Sequence, residues 1–321
     1  MIFDMKVSVC LTVLNEEKTI GRVLEGLLEQ TKKPDEIVIV DGGSTDKTAE
    51  IIRHFQKKDK SIRLVVEKST IAQGRNLSIS LAKNEIVALT DAGCEPYRDW
   101  LENLVYFLRH KEIGIVAGFY EMPAPTPFGK VISCYLGVPE ERFDPISFLP
   151  STRSVAFRKE VWEKLRGFDE SLKKTGEDSL FFYKAVKSGV KIARAKEARV
   201  VWGEPGKLSL KEFFGKVSSY ACGDIKSKIF WHPSKGLMSH NIKIILVFAR
   251  YILFLFLSVQ FLRFTRFYFW VPFLFLLYLL WPIYKWRDVL KTKKERLYLP
   301  LVQIVSDFAV ILGLLKGIFE R

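Results

Sequence analysis

Residues 36–46 read E-I-V-I-V-D-G-G-S-T-D, an apolar run that stops at an acid, two glycines and a second acid. The apolar residues Ile37 to Val40 have the pattern of a strand covered on both faces, as strands are inside a parallel sheet. Asp41 then stands at the carboxyl end of that strand. Ligands of open α/β sheets bind just beyond the carboxyl ends of the strands, so a carboxylate there can accept hydrogen bonds from a ribose or a base. Gly42 and Gly43 let the chain turn without a side chain in the way. Ser44, Thr45 or Asp46 is the expected cap of a helix beginning near Lys47. Taken alone, the stretch fits an ordinary strand-turn-helix junction equally well.

Working outward, the pattern repeats. Val7–Val13 reads as a first strand and leads into Leu14-Asn15-Glu16-Glu17. A helix follows, with Ile20, Val23, Leu24, Leu27 and Leu28 on one face. Beyond residue 46 an amphipathic helix carries Ile51, Ile52 and Phe55, and Ile62–Val66 reads as a third strand. Thr70–Ala82 is helical in pattern and holds Gly74-Arg75-Asn76; Glu85–Thr90 is a fourth apolar strand that ends in Asp91-Ala92-Gly93. Strands alternating with helices at this spacing predict βαβ units and a doubly wound, largely parallel sheet. Pro123–Pro150, with six prolines, reads as irregular. Val155, Ala156 and Phe157 have the pattern of a buried strand, and a helix is expected over Asp178–Lys187.

The chain has 321 residues and a formal charge of +14. Its length suits one sizeable domain with an appendage. Two blocks concentrate the basic residues: six lysines between Gly206 and Ile242, and six lysines or arginines between Lys285 and Leu297. Such blocks meet nucleic acid or an anionic lipid surface. Both flank long apolar segments, so the membrane is expected and nucleic acid is not. Cys10, Cys94, Cys134 and Cys222 lie far apart without a C-x-x-C pair, which points to neither a zinc site nor a disulfide framework. A reducing cytosol is the expected surrounding. The opening M-I-F-D-M-K lacks the basic stretch and apolar core of a cleaved signal peptide.

Five motifs then stand in order: V-C-L-T-V-L-N-E at Val9–Glu16, I-V-I-V-D-G-G-S-T-D, G-R-N at Gly74–Asn76, L-T-D-A-G at Leu89–Gly93 and G-E-D at Gly176–Asp178. In this order and spacing they resemble the family 2 glycosyltransferases, over roughly the first 205 residues. The resemblance implies a GT-A fold, Rossmann-like with a mostly parallel sheet, a nucleotide-sugar donor such as a UDP- or GDP-sugar, and inversion at the anomeric carbon. It also implies that Leu14, Asn15, Glu16, Asp41, Gly43, Arg75, Asp91 and Ala92 bind the nucleotide and donor.

A departing nucleoside diphosphate carries negative charge, which a divalent cation or basic side chains must stabilise. Asp91 is the expected ligand of a manganese or magnesium ion. The family's usual D-x-D is here D-A-G, and Gly93 has no carboxylate. The cation would then rest on Asp91, the diphosphate, waters and Glu95. Arg75 would pair with phosphate oxygens; the plain alternative is a solvated helix residue. Inverting transfer needs a base for the acceptor hydroxyl. By its match to the second position of the family's E-D motif that base is Asp178, with Glu177 as the neighbour that positions it or contacts the acceptor. Both acids also suit a helix N-terminus on dipole grounds alone. For a phosphate acceptor, already ionised, Asp178 would mainly position.

Phe148–Arg158, F-L-P-S-T-R-S-V-A-F-R, resembles segments at the acceptor side of the family's cleft and makes Ser151 and Arg153 candidates there. Beyond Trp202, Leu208–Trp231 has helical alternation with Phe213, Phe214, Val217 and Tyr220 on one face, suited to a membrane interface. Tyr220 falls where relatives carry an acceptor-side aromatic motif, but the Q-x-x-R-W pattern of processive polymerases is missing. Ile244–Leu262, Phe267–Tyr284 and Tyr298–Phe319 are each about long enough to cross a hydrocarbon core of roughly 30 Å, with Arg263–Arg266 as the turn between the first two. The third contains Asp307 and suits an interfacial or core helix as well. The expected organisation is a GT-A domain over 1–235, whose residues 207–235 form an interfacial helix region, and a membrane domain over 236–321 with two or three spans. The basic loop Lys285–Leu297 orients the catalytic domain to the cytoplasmic face of the cell membrane. Arg250 and Asp307 lie at similar depth, which suits a pair, with Arg250 also reaching the acceptor's phosphate; it suits equally an Arg250 that snorkels to the headgroups while Asp307 is protonated or lies in an interfacial helix. The expected acceptor is lipid-linked, as in enzymes similar to polyprenyl- or dolichol-phosphate sugar transferases. A different class, a catalytically weak nucleotide-sugar-binding scaffold, is suggested by the missing second acid of D-A-G.

Overall fold

The computed structural model of the protein describes residues 5–229, 240–263 and 270–319. The chain divides into two compact units, one of Met1–Met122 with Phe143–Gly203 and one of Pro123–Arg142 with Glu204–Arg321.

The first unit is built on β1 (Val7–Val13), β2 (Glu36–Asp41), β3 (Ile62–Val66), β4 (Ile86–Leu89), β5 (Cys94–Pro96), β6 (Ile113–Glu121), β7 (Val155–Arg158) and β8 (Lys191–Trp202). Its helices are α1 (Ile20–Leu28), α2 (Thr48–Lys58), α3 (Ile71–Leu81), α4 (Trp100–Leu108), α6 (Lys159–Lys164) and α7 (Glu177–Lys187). All eight strands form one sheet in the order β3-β2-β1-β4-β7-β6-β8-β5. In the first half β1 pairs parallel with β2 and β4, and β2 parallel with β3. Every residue of β2 is buried, as its unbroken apolar run predicts. The second half corrects the largely parallel sheet. β7 runs antiparallel to both β4 and β6, β5 antiparallel to β8, and only β6 with β8 is parallel. The chain leaves β6 at Glu121 and enters β7 at Val155 at the same end of the sheet, so no crossover returns it and the pairing must be antiparallel.

Local chemistry explains the starts of the helices. Asp46 accepts from the Thr48 amide at 3.0 Å and from its hydroxyl at 2.5 Å, which makes it the acid at the head of α2. Thr70 caps α3 in a capping box with Gln73. Gly74 lets α3 lie on β1, for a Cβ there would stand 2.4 Å from Thr12 Cγ2. The core between sheet and helices includes Phe157, Phe168, Phe181 and Phe182. The four cysteines are unpaired, with Cys10, Cys94 and Cys134 buried.

The second unit is helical: α5 (Pro127–Leu136), α8 (Leu210–Lys226), α9 (His240–Arg263), α10 (Trp270–Lys285) and α11 (Lys293–Phe319). Here α5 corrects the irregular Pro123–Pro150. Thr126 accepts from the Gly129 amide at 3.0 Å and Pro127 occupies the first turn, where its missing N–H costs nothing. Both α5 and α8 pack on α11, and so they group with the apolar helices and not with the sheet. A Cβ at Gly313 would meet the Ser218 carbonyl at 2.3 Å, which shows how closely α8 and α11 approach. Among the described residues one helix, α11, is long and apolar enough to cross a membrane, by length and composition. Its buried side carries Leu299, Val302, Gln303, Ser306, Asp307 and Ala309. The described part of α10 is 16 residues, roughly 24 Å at the helical rise and short of the expected span. Most of the expected turn Arg263–Arg266 lies outside the described residues, as do Phe230 and Trp231.

Candidate active site

Asp41 is fully buried at the end of β2. Its Oδ1 accepts from the amides of Gly43 at 3.0 Å and Ser44 at 2.7 Å, so the turn is wrapped around one carboxylate oxygen. Gly43 has φ 99°, a left-handed value that glycine takes without strain. Asp41 Oδ2 is buried and has no hydrogen-bond partner among the described residues. The loop after β1 is stitched to this turn. Asn15, at φ 56°, donates its amide to Ser44 Oγ at 2.8 Å and accepts from the Thr45 amide at 2.8 Å. Glu16 gives its amide to Thr48 Oγ1 at 2.7 Å, and Leu14 stands 53% exposed beside them. Leu14, Asn15 and Glu16 are therefore brought to the strand end that carries Asp41 and Gly43.

A second cluster forms around Arg75. The residue is 5% exposed, donates through Nη2 to Asp91 Oδ1 at 2.9 Å, and donates through Nη1 to Glu177 Oε1. Burial works against its charge, yet the carboxylates of Asp91, Glu177 and Asp178 hold the guanidinium above its ordinary value. This corrects the solvated alternative. Both terminal nitrogens meet protein carboxylates, so Arg75 links sites rather than lying open to solvent. Glu177 is 3% exposed at the head of α7, and its Oε2 is buried without a partner among the described residues. Burial pushes the Glu177 carboxyl up to about 7, against the pull of Arg75 and with the Asp178 charge adding to the rise. Asp178 is half-buried and accepts from the Ser179 amide at 2.7 Å. Asp91 is 31% exposed, and Ala92 beside it is buried.

For a divalent cation, the donor set is thin. No group of three His, Cys, Asp or Glu side chains that could hold a metal occurs among the described residues. Glu95 pairs with Arg22 at 2.9 Å, both side chains partly exposed. The space around Gly93 is open, with nothing within 4 Å of a Cβ built there. The residues fit a cation carried by Asp91 and completed by ligand oxygens and water, since small hard cations keep several waters.

Arg153 stacks on Trp202 at 3.7 Å and on Tyr120 at 4.9 Å, and donates to Ser151 Oγ at 2.9 Å. Ser151 and Arg153 thus sit together on an aromatic bed. Tyr120 and Trp202 were not singled out as site residues, although Trp202 ends β8 at the point where the composition changes. Two other residues escaped the sequence reading, Thr12 and Ser69, whose hydroxyl oxygens are buried and unpartnered among the described residues. Tyr220 and Arg250 belong to the second unit. Arg250 donates to Asp307 Oδ2 at 2.5 Å, the expected pair. Tyr251 and Tyr278 donate to the same oxygen at 3.2 and 2.8 Å, and Gln303 donates to Oδ1 at 2.8 Å.

Comparison with known proteins bears on this geometry. Residues 8–146 match the family model for glycosyl transferase family 2. The glycosyltransferase AglE of Haloferax volcanii is 29% identical over 156 residues, 47% of this chain and 48% of that protein. The glycosyltransferase GlyG of Streptococcus pneumoniae is 32% identical over 116 residues, 36% of this chain and 38% of that protein. The chain thus spans about half the length, or less, of these curated relatives. Among solved structures, the mannosyltransferase PcManGT from Pyrobaculum calidifontis, in complex with GDP-Man and Mn2+, superposes with a TM-score of 0.68 at 21% identity. It covers 98% of this chain and 88% of its own, a likeness of fold. The matched residues 8–146 hold β1 to β6 with Asp41 and Asp91, so this stretch of the chain is similar to glycosyl transferase family 2.

Proposed function

We propose that the protein is an inverting glycosyltransferase that moves a sugar from a UDP- or GDP-sugar to a lipid-linked acceptor at a membrane. The observation that carries this reading is the buried, unsatisfied Oδ2 of Asp41 at the carboxyl end of β2. A buried carboxylate oxygen without a donor is costly, and an N–H of a base or a hydroxyl of a ribose would satisfy it. The open loop of Leu14, Asn15, Glu16 and Gly43 flanks the same strand end. The bound GDP-Man and Mn2+ of the fold neighbour support a nucleotide-sugar donor.

In this reading the diphosphate lies by Asp91. A divalent cation, manganese or magnesium, would be held by Asp91 and the donor's own oxygens, and supplies neutralisation of the charge on the departing diphosphate. Arg75, positive and buried, fixes Asp91 for that contact and adds its field. Asp178, half-buried and so reachable, takes the proton of an acceptor hydroxyl as that oxygen attacks the anomeric carbon. Glu177, locked by Arg75, orients the start of α7 on which Asp178 stands. Ser151 and Arg153 on their aromatic bed are assigned to the acceptor.

The lipid acceptor and the membrane rest on the helical unit. Its helices α9 and α10 expose Leu253, Phe256, Phe273, Leu276, Leu280 and Trp281, an apolar surface suited to acyl chains. The basic loop after α10 suits an anionic cytoplasmic leaflet. A second reading, a nucleotide-sugar-binding scaffold of weak catalysis, draws on Gly93 in place of the second acid.

Purified protein in detergent, screened with nucleotide sugars and polyprenyl phosphate or glycolipid acceptors for release of nucleoside diphosphate, separates the two. The enzyme reading expects turnover that Asp178→Asn lowers about 10²–10⁴-fold for a hydroxyl acceptor. Binding of UDP or GDP without turnover on any acceptor favours the scaffold. Asp41→Asn should remove nucleotide binding in calorimetry, and unchanged affinity there would sink the nucleotide site.

A further inference from the structure

α11 has the length and composition of a membrane span, but its neighbours in the helical unit do not suit one. Its first half lies against α5. Lys130 pairs with Glu295 at 3.1 Å, the rings of Phe128 and Tyr298 meet at 5.4 Å, and Tyr135 donates to Gln303 at 2.9 Å. Its second half lies against α8. A Cβ at Gly313 would stand 2.8 Å from Ala221 Cβ, and one at Gly317 would stand 3.0 Å from the Cys222 carbonyl oxygen. The two helices therefore advance in the same direction. Counted back at the helical rise, Ser209, the cap of α8, is level with about residue 303 of α11. Ser209, Lys211, Glu212 and Lys216 are all exposed. Were α11 upright in a bilayer, the chain entering α8 and these three charges would stand near the middle of the hydrocarbon. Lipid-facing loops do not occur there, and charges there are costly.

The other face of α11 is apolar and open. Leu297, Leu301, Phe308, Leu312, Leu315 and Phe319 recur at helical spacing as one exposed stripe, while Leu299, Val302 and Ala309 are buried on the opposite side. Exposed lysines border the stripe: Lys293, Lys294 and Lys316 on α11, with Lys211, Lys216 and Lys226 on α8. Among the described residues of the two helices the exposed acid is Glu212. An apolar stripe edged by lysines matches an anionic lipid surface.

We propose that α11 lies in the plane of the membrane instead of crossing it, with the stripe from Leu297 to Phe319 among the acyl chains of one leaflet and the lysines at its anionic headgroups. The inference rests on the reading that the helical unit meets a membrane. It gives α5 and α8 the water side of α11 and leaves no exposed charge in the hydrocarbon. Asp307, in the middle of α11, then stands near the interface and not at the midplane, where an acid is most costly.

The test uses the full chain reconstituted in vesicles of phosphatidylcholine and phosphatidylglycerol, with Cys222→Ser so that the remaining native thiols, Cys10, Cys94 and Cys134, are buried. In this background Lys294→Cys and Lys316→Cys are combined and treated with a membrane-impermeant maleimide. A helix in the plane shows both thiols to one side whichever way each molecule is inserted, so intact masses should show two maleimides or none. A helix that crosses shows one thiol to each side, and a single maleimide per molecule overturns the proposal while leaving the membrane reading intact. Nitroxides placed singly through Leu301→Cys, Phe308→Cys and Leu315→Cys give an independent measure. In the plane, the three should report similar depths. Upright, neighbouring labels seven residues apart differ by roughly 10 Å along the helix, and such a gradient overturns the proposal too. Spin–spin broadening between singly labelled chains would put a second copy on the stripe and overturn the lipid assignment. Labels open to water on a chain that washes off the vesicles overturn the membrane reading itself, and the proposal with it.

Discussion

A carboxylic acid buried beside one cation and one anion titrates as the balance of the three surroundings, and Glu177 holds its proton to about pH 7. The unfolded chain releases that proton near the ordinary value of 4.5. Between these limits the folded state binds more protons than the unfolded one, so stability falls as pH rises. The contribution is complete below about 4.5 and is lost as pH passes about 7. Glu177→Gln has no proton to exchange, so its Tm relative to wild type should move in its favour between pH 4.5 and 7.5. A difference that stays flat would mean that Glu177 is ionised throughout. Gly93 offers the complementary change. Its φ is not left-handed and the space for a side chain is open, so Gly93→Asp should be tolerated. It should tighten manganese-dependent binding of UDP or GDP several-fold, as a second carboxylate joins Asp91. Calorimetry with and without manganese measures this, and an unaltered metal increment would count against Asp91 as a ligand. These residues mark what the sequence could and could not reveal about the site. Asp41, Asp91 and Glu177 were legible because motifs deliver acids at strand and helix ends. The burial of Arg75 was not, since the partner that buries it, Glu177, comes 102 positions later.

At the scale of elements, legibility follows burial. The expected strands at Val7–Val13 and Ile62–Val66 coincide with β1 and β3, because a short run rich in β-branched and apolar residues, broken only by Ser8 and Thr12 in the one and Arg63 in the other, has few other readings. The antiparallel half of the sheet escaped for equally concrete reasons. Gly114 and Gly118 interrupt the pattern of β6, yet Gly118 is required where a Cβ would stand 1.9 Å from Ser154 Oγ. β8 alternates charged and small residues, K-I-A-R-A-K-E-A-R, and its apolar character appears only at Val200–Trp202. α5 was hidden by prolines read as breakers when one of them starts the helix. The close approach of α3 and β1 gives a direct prediction. Gly74→Ala sets a methyl 2.4 Å from Thr12 Cγ2, and should cost about 1–3 kcal/mol in thermal or denaturant unfolding, typical of overpacking. Adding Thr12→Ser removes that methyl and should recover much of the loss. A double variant no better than the single one would show that the helix packs on something other than Thr12.

On the scale of the whole molecule, the question is what holds a long apolar helix with an acid in its middle. α11 has 27 residues, roughly 40 Å at the helical rise, and Asp307 within it is 3% exposed at the side chain. The side chain is held by hydrogen-bond donors from three helices. Arg250 of α9, Tyr251 of α9, Tyr278 of α10 and Gln303 of α11 all donate to it, and Tyr135 of α5 donates in turn to Gln303 at 2.9 Å. One acid thus ties together four helices of the unit, which the sequence suggested only as a pair. Removing it by Asp307→Ala leaves Arg250 without its carboxylate and the Tyr251 and Tyr278 hydroxyls, 2.9 Å apart, with only each other. The cost expected for breaking such a pair is about 3 kcal/mol, the low end for buried pairs because Arg250 is 35% exposed. Arg250→Asp should cost as much or more, since it opposes two carboxylates across the interface. The exchange of both, Arg250→Asp with Asp307→Arg, restores opposite charges but turns the Gln303 amide toward a guanidinium. It should therefore recover part of the sum and not all of it. Thermal unfolding of the four proteins in the same detergent decides the matter. Losses that simply add, or a silent single change, would mean that Arg250 does not engage Asp307, and α11 would then need another partner for its buried acid.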